Sequence, residues 1–115
     1  MTKSGMSRIL ATMVLAGALF ASCRYASAQT ASVQLSVKGQ RFQPAEIRAP
    51  ANTPIVLRIK NLDSQPMEFE SVSLRVEKVV PGNSEGVINL RPLKPGRYQF
   101  FDDFNAKAKG TLVVE

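Results

Sequence analysis

The sequence predicts an all-β sandwich of seven or eight short strands. Apolar and polar residues alternate in several short segments, most clearly in 33–37 and 74–80, and this period of two is typical of half-buried strands. Turn residues such as Gly, Pro, Asn and Asp recur every ~8–12 residues. Because no segment after the first 28 residues has a helical period, two packed sheets are favoured over a helical or mixed fold.

Each expected strand is bounded by turn chemistry. The stretch 55–60 is rich in β-branched residues and 98–101 in aromatic ones, both of which favour strands. Between strands lie segments such as Pro50–Thr53, Asn61–Pro66 and Pro81–Asn83, whose side chains or fixed dihedrals favour turns. In chain order, the expected strands are 33–37, 46–49, 55–60, 67–71, 74–80, 87–90, 98–101 and 111–114.

Residues 1–28 have the pattern of a cleavable secretory signal peptide. Lys3 and Arg8 precede an uncharged apolar run, and Ala26-Ser27-Ala28 offers small residues for cleavage. The run is too short to span the ~30 Å hydrocarbon core as a helix. We therefore expect one domain, residues 29–115, in the periplasm or secreted. The alternative is a lipoprotein anchored through Cys23, which the poorly formed lipobox beginning at Phe20 disfavours.

Composition excludes several classes of function. The predicted signal peptide holds three basic residues and no acid, so half of the formal net charge of +6 belongs to it. The rest is ordinary for a soluble domain and does not indicate nucleic-acid binding. The sequence has no histidine, and its one cysteine, Cys23, lies in the predicted signal peptide. A Ser/His/Asp hydrolase is therefore impossible and an enzyme is not expected, while the oligomeric state stays open.

Several motifs resemble those of one known family. The run Pro95–Asp102 is similar to the P-G-x-Y-x-F-x-C run of cupredoxins, and Asn61-Leu62-Asp63 and Gly110–Val114 agree with it in order. Within that superfamily the chain resembles EfeO-type cupredoxin-like domains, through the segments Met67–Ser71, Glu77–Gly82, Leu93–Tyr98 and Phe101–Phe104. The resemblance implies a cupredoxin-like Greek-key β-sandwich. It also implies a copper- or iron-binding module or an electron-transfer module that assists ferrous iron oxidation or uptake. A membrane iron permease or other periplasmic iron-transport components are the implied partners.

The residues of a blue-copper centre are missing. Such a centre takes two imidazoles and a thiolate with a weak axial ligand. Counted along the resembling run, Asp102 stands at the cysteine position and Asn105 at the position of the second histidine. Type 1 blue copper is therefore excluded on ligand chemistry.

Oxygen ligands are present where copper would lie. Glu68 and Glu70 are two apart on an expected strand and so face the same side, and two aspartates follow the strand expected to end at Phe101. Carboxylates favour hard cations, and Cu²⁺ leads the affinity order at any one site. We predict a carboxylate-rich, non-blue site for an iron, manganese or copper ion. Its predicted ligands are Glu68, Glu70, Asp102, Asp103 and Met67.

A metal-free domain is the alternative function. Glu68 and Glu70 are also typical of the solvent face of an edge strand, and Asp102-Asp103 of a polar loop tip. Met67 suits a core as well as it suits a ligand set. On this hypothesis the fold persists as an interaction module that has lost its metal site and binds a membrane or periplasmic partner.

Overall fold

The predicted all-β class is confirmed. The structure, a computed structural model, describes residues 29–115, and this part of the chain has nine strands and no helix, hence none long and apolar enough to cross a membrane. The strands are β1 (Ala31–Lys38), β2 (Arg41–Gln43), β3 (Glu46–Ala49), β4 (Ile55–Asn61), β5 (Met67–Ser71), β6 (Val76–Val80), β7 (Glu85–Leu90), β8 (Gly96–Asp102) and β9 (Asn105–Val114).

The strands form two mixed sheets that pack into a sandwich. One has the order β2-β1-β4-β7 and the other β3-β9-β8-β5-β6. β1 pairs in parallel with β4, and β3 with β9, while the other pairs are antiparallel. β5 is an inner strand between β8 and β6. The turn joining β8 to β9 therefore lies beside the start of β5.

The strands differ from the sequence prediction in one added strand and in several boundaries. β2 was not expected, because its three residues follow a turn and owe their conformation to pairing with the end of β1. β9 begins at Asn105 instead of 111, because its Ala- and Lys-rich first half pairs with β8. β6 begins only at Val76, since the preceding residues form a turn. The predicted signal peptide, with Cys23, lies outside the described residues.

The core lies between the sheets and is centred on three aromatic rings. Phe100 contacts both Phe42 and Phe69, with centroids 4.9 Å apart in each case. The ring of Phe42 is edge-on to both others. Around them pack the inward residues of each strand, as period-two alternation requires. This core fixes which face of β5 and β8 is buried.

Candidate metal centre

Strand β5 divides the predicted ligands between its two faces. Met67, Phe69 and Ser71 are buried, while Glu68 and Glu70 are half-buried on the opposite face. Successive side chains of a strand point to opposite faces. Met67 therefore does not lie with Glu68 and Glu70, although all three were predicted to bind one ion.

Asp102 lies on the inner side with Met67. Its residue is only 4% exposed, and it is paired in register with the buried Phe69. Its Oδ1 accepts hydrogen bonds from the backbone N–H of Glu68 at 2.9 Å and of Phe104 at 3.0 Å. Within residues 29–115 no buried side-chain polar atom lacks a partner. Asp102 is thus a buried carboxylate compensated by backbone donors.

A pocket of about 260 Å³ adjoins Asp102 at this end of the sandwich. Met67, Asp102 and Asn105 line it, together with the loop that joins β4 to β5. It is the place where the sequence resemblance puts the blue-copper ligands. The lining supplies a carboxylate, an amide and a thioether in place of a thiolate and imidazoles. A type 1 copper ion does not fit this donor set.

The pocket is held by hydrogen bonds. Asn61, 1% exposed, donates through Nδ2 to the carbonyls of Gln65 at 2.8 Å and of Val80 and Pro81 at 3.2 Å. Asn105 makes longer contacts, with Nδ2 at 3.4 Å from both oxygens of Gln40. The pocket therefore keeps its shape through these groups.

The other three predicted carboxylates come together on the outer face of the sheet. Glu68, Glu70 and Asp103 each offer an oxygen within 4.8 Å of the others. The backbone N–H of Asp103 donates to the carbonyl of Glu68 at 2.9 Å, which fixes the β8–β9 turn against β5. We call Glu68, Glu70 and Asp103 the outer trio. Its size suits one metal ion, since carboxylate oxygens bind divalent cations at 2.0–2.6 Å.

The charges of the outer trio oppose one another. Partial desolvation, and then the charges of Asp103 and Glu77, raise the pKa of Glu68. The pKa of Glu70 is raised by the same three causes in the same order, and then by a side-chain hydrogen bond with Glu77 and by the charge of Glu68. Both glutamates thus hold their protons more tightly than usual, and a cation at this position would relieve the repulsion.

Sequence reasoning missed Glu77. It lies on β6 directly opposite Glu70 and adds a fourth carboxylate beside the outer trio. Only the register of β5 against β6 shows this proximity, because nothing in the segment 76–80 points to a ligand. A register error of one residue would place Glu77 on the other face.

The acids outside this group are all compensated. Glu46, Glu85 and Glu115 form ion pairs with arginines. Asp63 and Asp102 accept hydrogen bonds from backbone N–H groups. The sequence has nine acids, so four are left, and within residues 29–115 none of these four has an arginine or lysine in ion-pair contact. They are Glu68, Glu70, Glu77 and Asp103.

Comparisons with known structures support the fold. The NMR structure of a copper-binding protein in its apo form superposes with a TM-score of 0.65 at 21% identity, over 78% of this chain and 99% of that one. Auracyanin A, a "blue" copper protein from Chloroflexus aurantiacus, gives 0.64 at 13% identity, over 76% and 100%. The metal-binding domain of a Cu(I)-exporting P-type ATPase from Streptococcus pneumoniae gives 0.62 at 15% identity, over 76% and 97%. At these identities the likeness concerns the fold alone.

Comparison of the sequence with known proteins identifies the family. An uncharacterized protein of Rickettsia prowazekii (strain Madrid E) is 40% identical over 83 residues, which are 71% of this chain and 66% of the relative. This chain thus spans just under two thirds of that relative's length. The model of the cupredoxin-like domain family matches residues 10–114. With the fold and the matched residues in agreement, the chain belongs to the cupredoxin-like domain family.

Proposed function

We propose that this protein is an exported metal-binding module that captures a divalent transition metal, in the cell ferrous iron, and assists its uptake or oxidation at a membrane permease. The metal is held by Glu68, Glu70 and Asp103 on the outer face of the β5–β8 sheet. Asp102 and Met67 do not contact it. The observation that carries the proposal is the geometry of the outer trio, whose oxygens lie within 4.8 Å of one another.

The chemistry of the outer trio suits hard cations. Three carboxylates with Glu77 beside them give a strongly negative oxygen site, which favours Fe²⁺, Mn²⁺ and Cu²⁺ over soft ions. The same ligands stabilise Fe³⁺ over Fe²⁺, because the added charge is balanced by anionic oxygen. In a purified protein Cu²⁺ binds most tightly of the three, following the general order of affinity.

Delivery to a permease is supported by exposure and by sequence. Asp103 is exposed and the two glutamates are half-buried, so another protein's ligands can approach the ion without unfolding of the domain. The segments Met67–Ser71 and Phe101–Phe104, which carry the resemblance to EfeO-type domains, are also the segments that contain the outer trio. The proposed iron-transport role rests on this coincidence.

Anaerobic titration calorimetry with Fe²⁺, Mn²⁺ and Cu²⁺ tests the metal site. We expect one ion per chain for the wild-type protein and no measurable binding for the Glu68→Gln/Glu70→Gln variant. Glu85→Gln is the matched control, because it removes one exposed carboxylate from the other sheet. Absence of heat with all three ions, or equal binding by the double variant, would refute the site.

Transport is tested in cells that lack the chromosomal gene. Restoring the wild-type gene should restore accumulation of radioactive Fe²⁺, and the Glu68→Gln/Glu70→Gln gene should not, with both proteins present at equal levels. Full uptake with the double variant would favour a metal-free interaction module. Asp102 favours that second function, since the family's metal position holds a carboxylate already satisfied by backbone N–H groups.

Export is tested by the mass of the protein isolated from its own cells. Cleavage after Ala28 gives a chain that begins at Gln29. A mass that retains Cys23 with attached lipid would instead establish a lipoprotein, and an intact Met1 would exclude cleavage of this signal.

A further inference from the structure

We propose that Asp102, at the family's copper-ligand position, is a positioning residue for the outer trio and not a metal ligand. The inference rests on the proposed function, since it concerns how the same site is held. It departs from the sequence prediction, which placed Asp102 among the ligands. The evidence is a set of hydrogen bonds that joins Asp102 to Glu68 and to the turn bearing Asp103.

The backbone pairing of β5 with β8 ends where the outer trio begins. The pairs are only Phe69 with Asp102 and Glu70 with Phe101. A register irregularity interrupts the pairing of β8 with β9 between Phe101 and Asp102. Beyond these pairs, one backbone hydrogen bond joins Asp103 to Glu68, and the N–H of Glu68 bonds to the side chain of Asp102.

The side chain of Asp102 links the start of β5 to the β8–β9 turn. One oxygen, Oδ1, accepts from the N–H of Glu68 at 2.9 Å and from the N–H of Phe104 at 3.0 Å. The N–H of Asp103 in turn donates to the carbonyl of Glu68 at 2.9 Å. Glu68 is thus bonded through both backbone groups to the turn, and two of the three trio residues are held at a fixed separation.

Burial makes this arrangement rigid. Asp102 is 4% exposed and packs beside Met67 and Phe69, which are 2% and 0% exposed. Hydrogen bonds that accept on a carboxylate are stronger than neutral ones, and burial strengthens them further. Groups that orient metal ligands typically change metal affinity about 10–100-fold when they are removed.

The test compares Asp102→Asn with Asp102→Ala by Mn²⁺ titration. Both variants remove the same charge, but only Asn keeps an oxygen that accepts the two hydrogen bonds. We expect Asp102→Ala to bind Mn²⁺ about 10–100-fold more weakly than Asp102→Asn. Equal affinities in the two variants would overturn the inference, because the hydrogen bonds that only Asn keeps would then have no effect on metal binding.

A matched control separates positioning from general stability. Ser71→Ala removes a buried hydroxyl from the same face of β5, where Oγ donates to the carbonyl of Gln99 at 2.7 Å. It should lower thermal stability and leave Mn²⁺ affinity unchanged. If Asp102→Ala does not fold, Asp102→Ser replaces it with the same expected loss, since the shorter hydroxyl does not span both donors.

Amide hydrogen exchange distinguishes failure of this inference from failure of the proposed function. We expect faster exchange at the N–H groups of Glu68 and Phe104 in Asp102→Ala than in Asp102→Asn, whether or not metal is present. Equal exchange rates would refute the positioning role. If the wild-type protein binds no metal but the two variants still differ in exchange rate, only the metal site is refuted.

Discussion

The two faces of the sheet that contains β5 and β8 each carry carboxylates at this end of the sandwich, with opposite consequences. On the inner face, Asp102 is buried and accepts two backbone hydrogen bonds. On the outer face, Glu68, Glu70 and Asp103 lie close together, and within the part of the chain that the structure describes none of them forms an ion pair. Asp102 and Asp103 are adjacent in sequence, so a buried carboxylate with backbone donors and an exposed carboxylate of the outer trio are neighbours in the chain.

This difference shows how the site relates to the family's fold. Asp102, which the sequence resemblance places at the thiolate position of blue-copper proteins, accepts hydrogen bonds from backbone N–H groups. The carboxylates that lack compensation lie across the strand from it, at the surface. A domain of this fold can thus lack blue-copper ligands at its inner position and still present, one residue away, carboxylates close enough together to hold one ion.

The largest expected effect concerns the inner face. Phe100→Ala removes a ring that contacts Phe42 and Phe69 at 4.9 Å and should lower the free energy of unfolding by about 3–5 kcal/mol. Phe101→Ala, on the half-buried outer face, should cost less than half as much. Urea unfolding measures both, and an equal or larger loss for Phe101→Ala would contradict the assignment of faces.

The second prediction concerns what holds the inner pocket. Asn61→Ala leaves the buried carbonyl of Val80 and the part-buried carbonyls of Gln65 and Pro81 without the Nδ2 donor. It should cost about 1–3 kcal/mol of unfolding free energy. Asn105→Ala, with contacts of 3.4 Å, should change stability little. Thermal unfolding measures both variants. A greater loss of stability for Asn105→Ala than for Asn61→Ala would contradict this, because Asn105 would then contribute more to holding the pocket than Asn61 does.

The third prediction places a cation on the outer face. Val79 is 50% exposed and lies directly opposite Glu68, so Val79→Lys puts an ammonium group across from that carboxylate. We expect the melting temperature to rise by a few degrees and Mn²⁺ affinity to fall at least about tenfold, which corresponds to 1.4 kcal/mol of binding free energy. Val72→Lys, exposed in the turn after β5, is the control. Unchanged Mn²⁺ affinity in Val79→Lys would contradict the location of the site.

The smallest effect is the pH dependence of the metal-free protein. Folding raises the pKa of Glu68 and Glu70, so the folded state binds more protons than the unfolded state between the ordinary and the raised pKa. Stability should therefore fall as pH rises through that window and stay lower above it. The Glu68→Gln/Glu70→Gln variant should lack this fall. Salt should weaken the effect, because these groups are partly exposed. A rise in wild-type stability over the same window, relative to the variant, would contradict the sign.

Much of the fold was predictable because its strands alternate clearly. The segments 55–60 and 67–71 carry apolar residues at every second position, and both are strands in the structure. The first half of β9 was not predictable, since residues such as Lys107 and Lys109 have no strand preference of their own. Their conformation comes from pairing with β8, which is information that a single segment does not contain.

The site was predictable in its residues but not in its grouping. Spacing placed Glu68 and Glu70 on one face, as the structure has them. The orientation of Asp102 and Asp103 depends on where β8 ends and how its turn closes, and β8 extends one residue further than expected, to Asp102. Glu77 joins the group through register alone.

The central claim, that metal binds outside the family's copper position, is tested most directly by Mn²⁺-induced line broadening in the ¹⁵N NMR spectrum. With substoichiometric Mn²⁺, we expect the strongest broadening at the amides of Glu68, Glu70, Glu77 and Asp103. Amides of the inner pocket, such as those of Gln40, Ser64 and Gln65, should broaden less. Strongest broadening at those pocket amides would place the ion at the copper position and contradict the account.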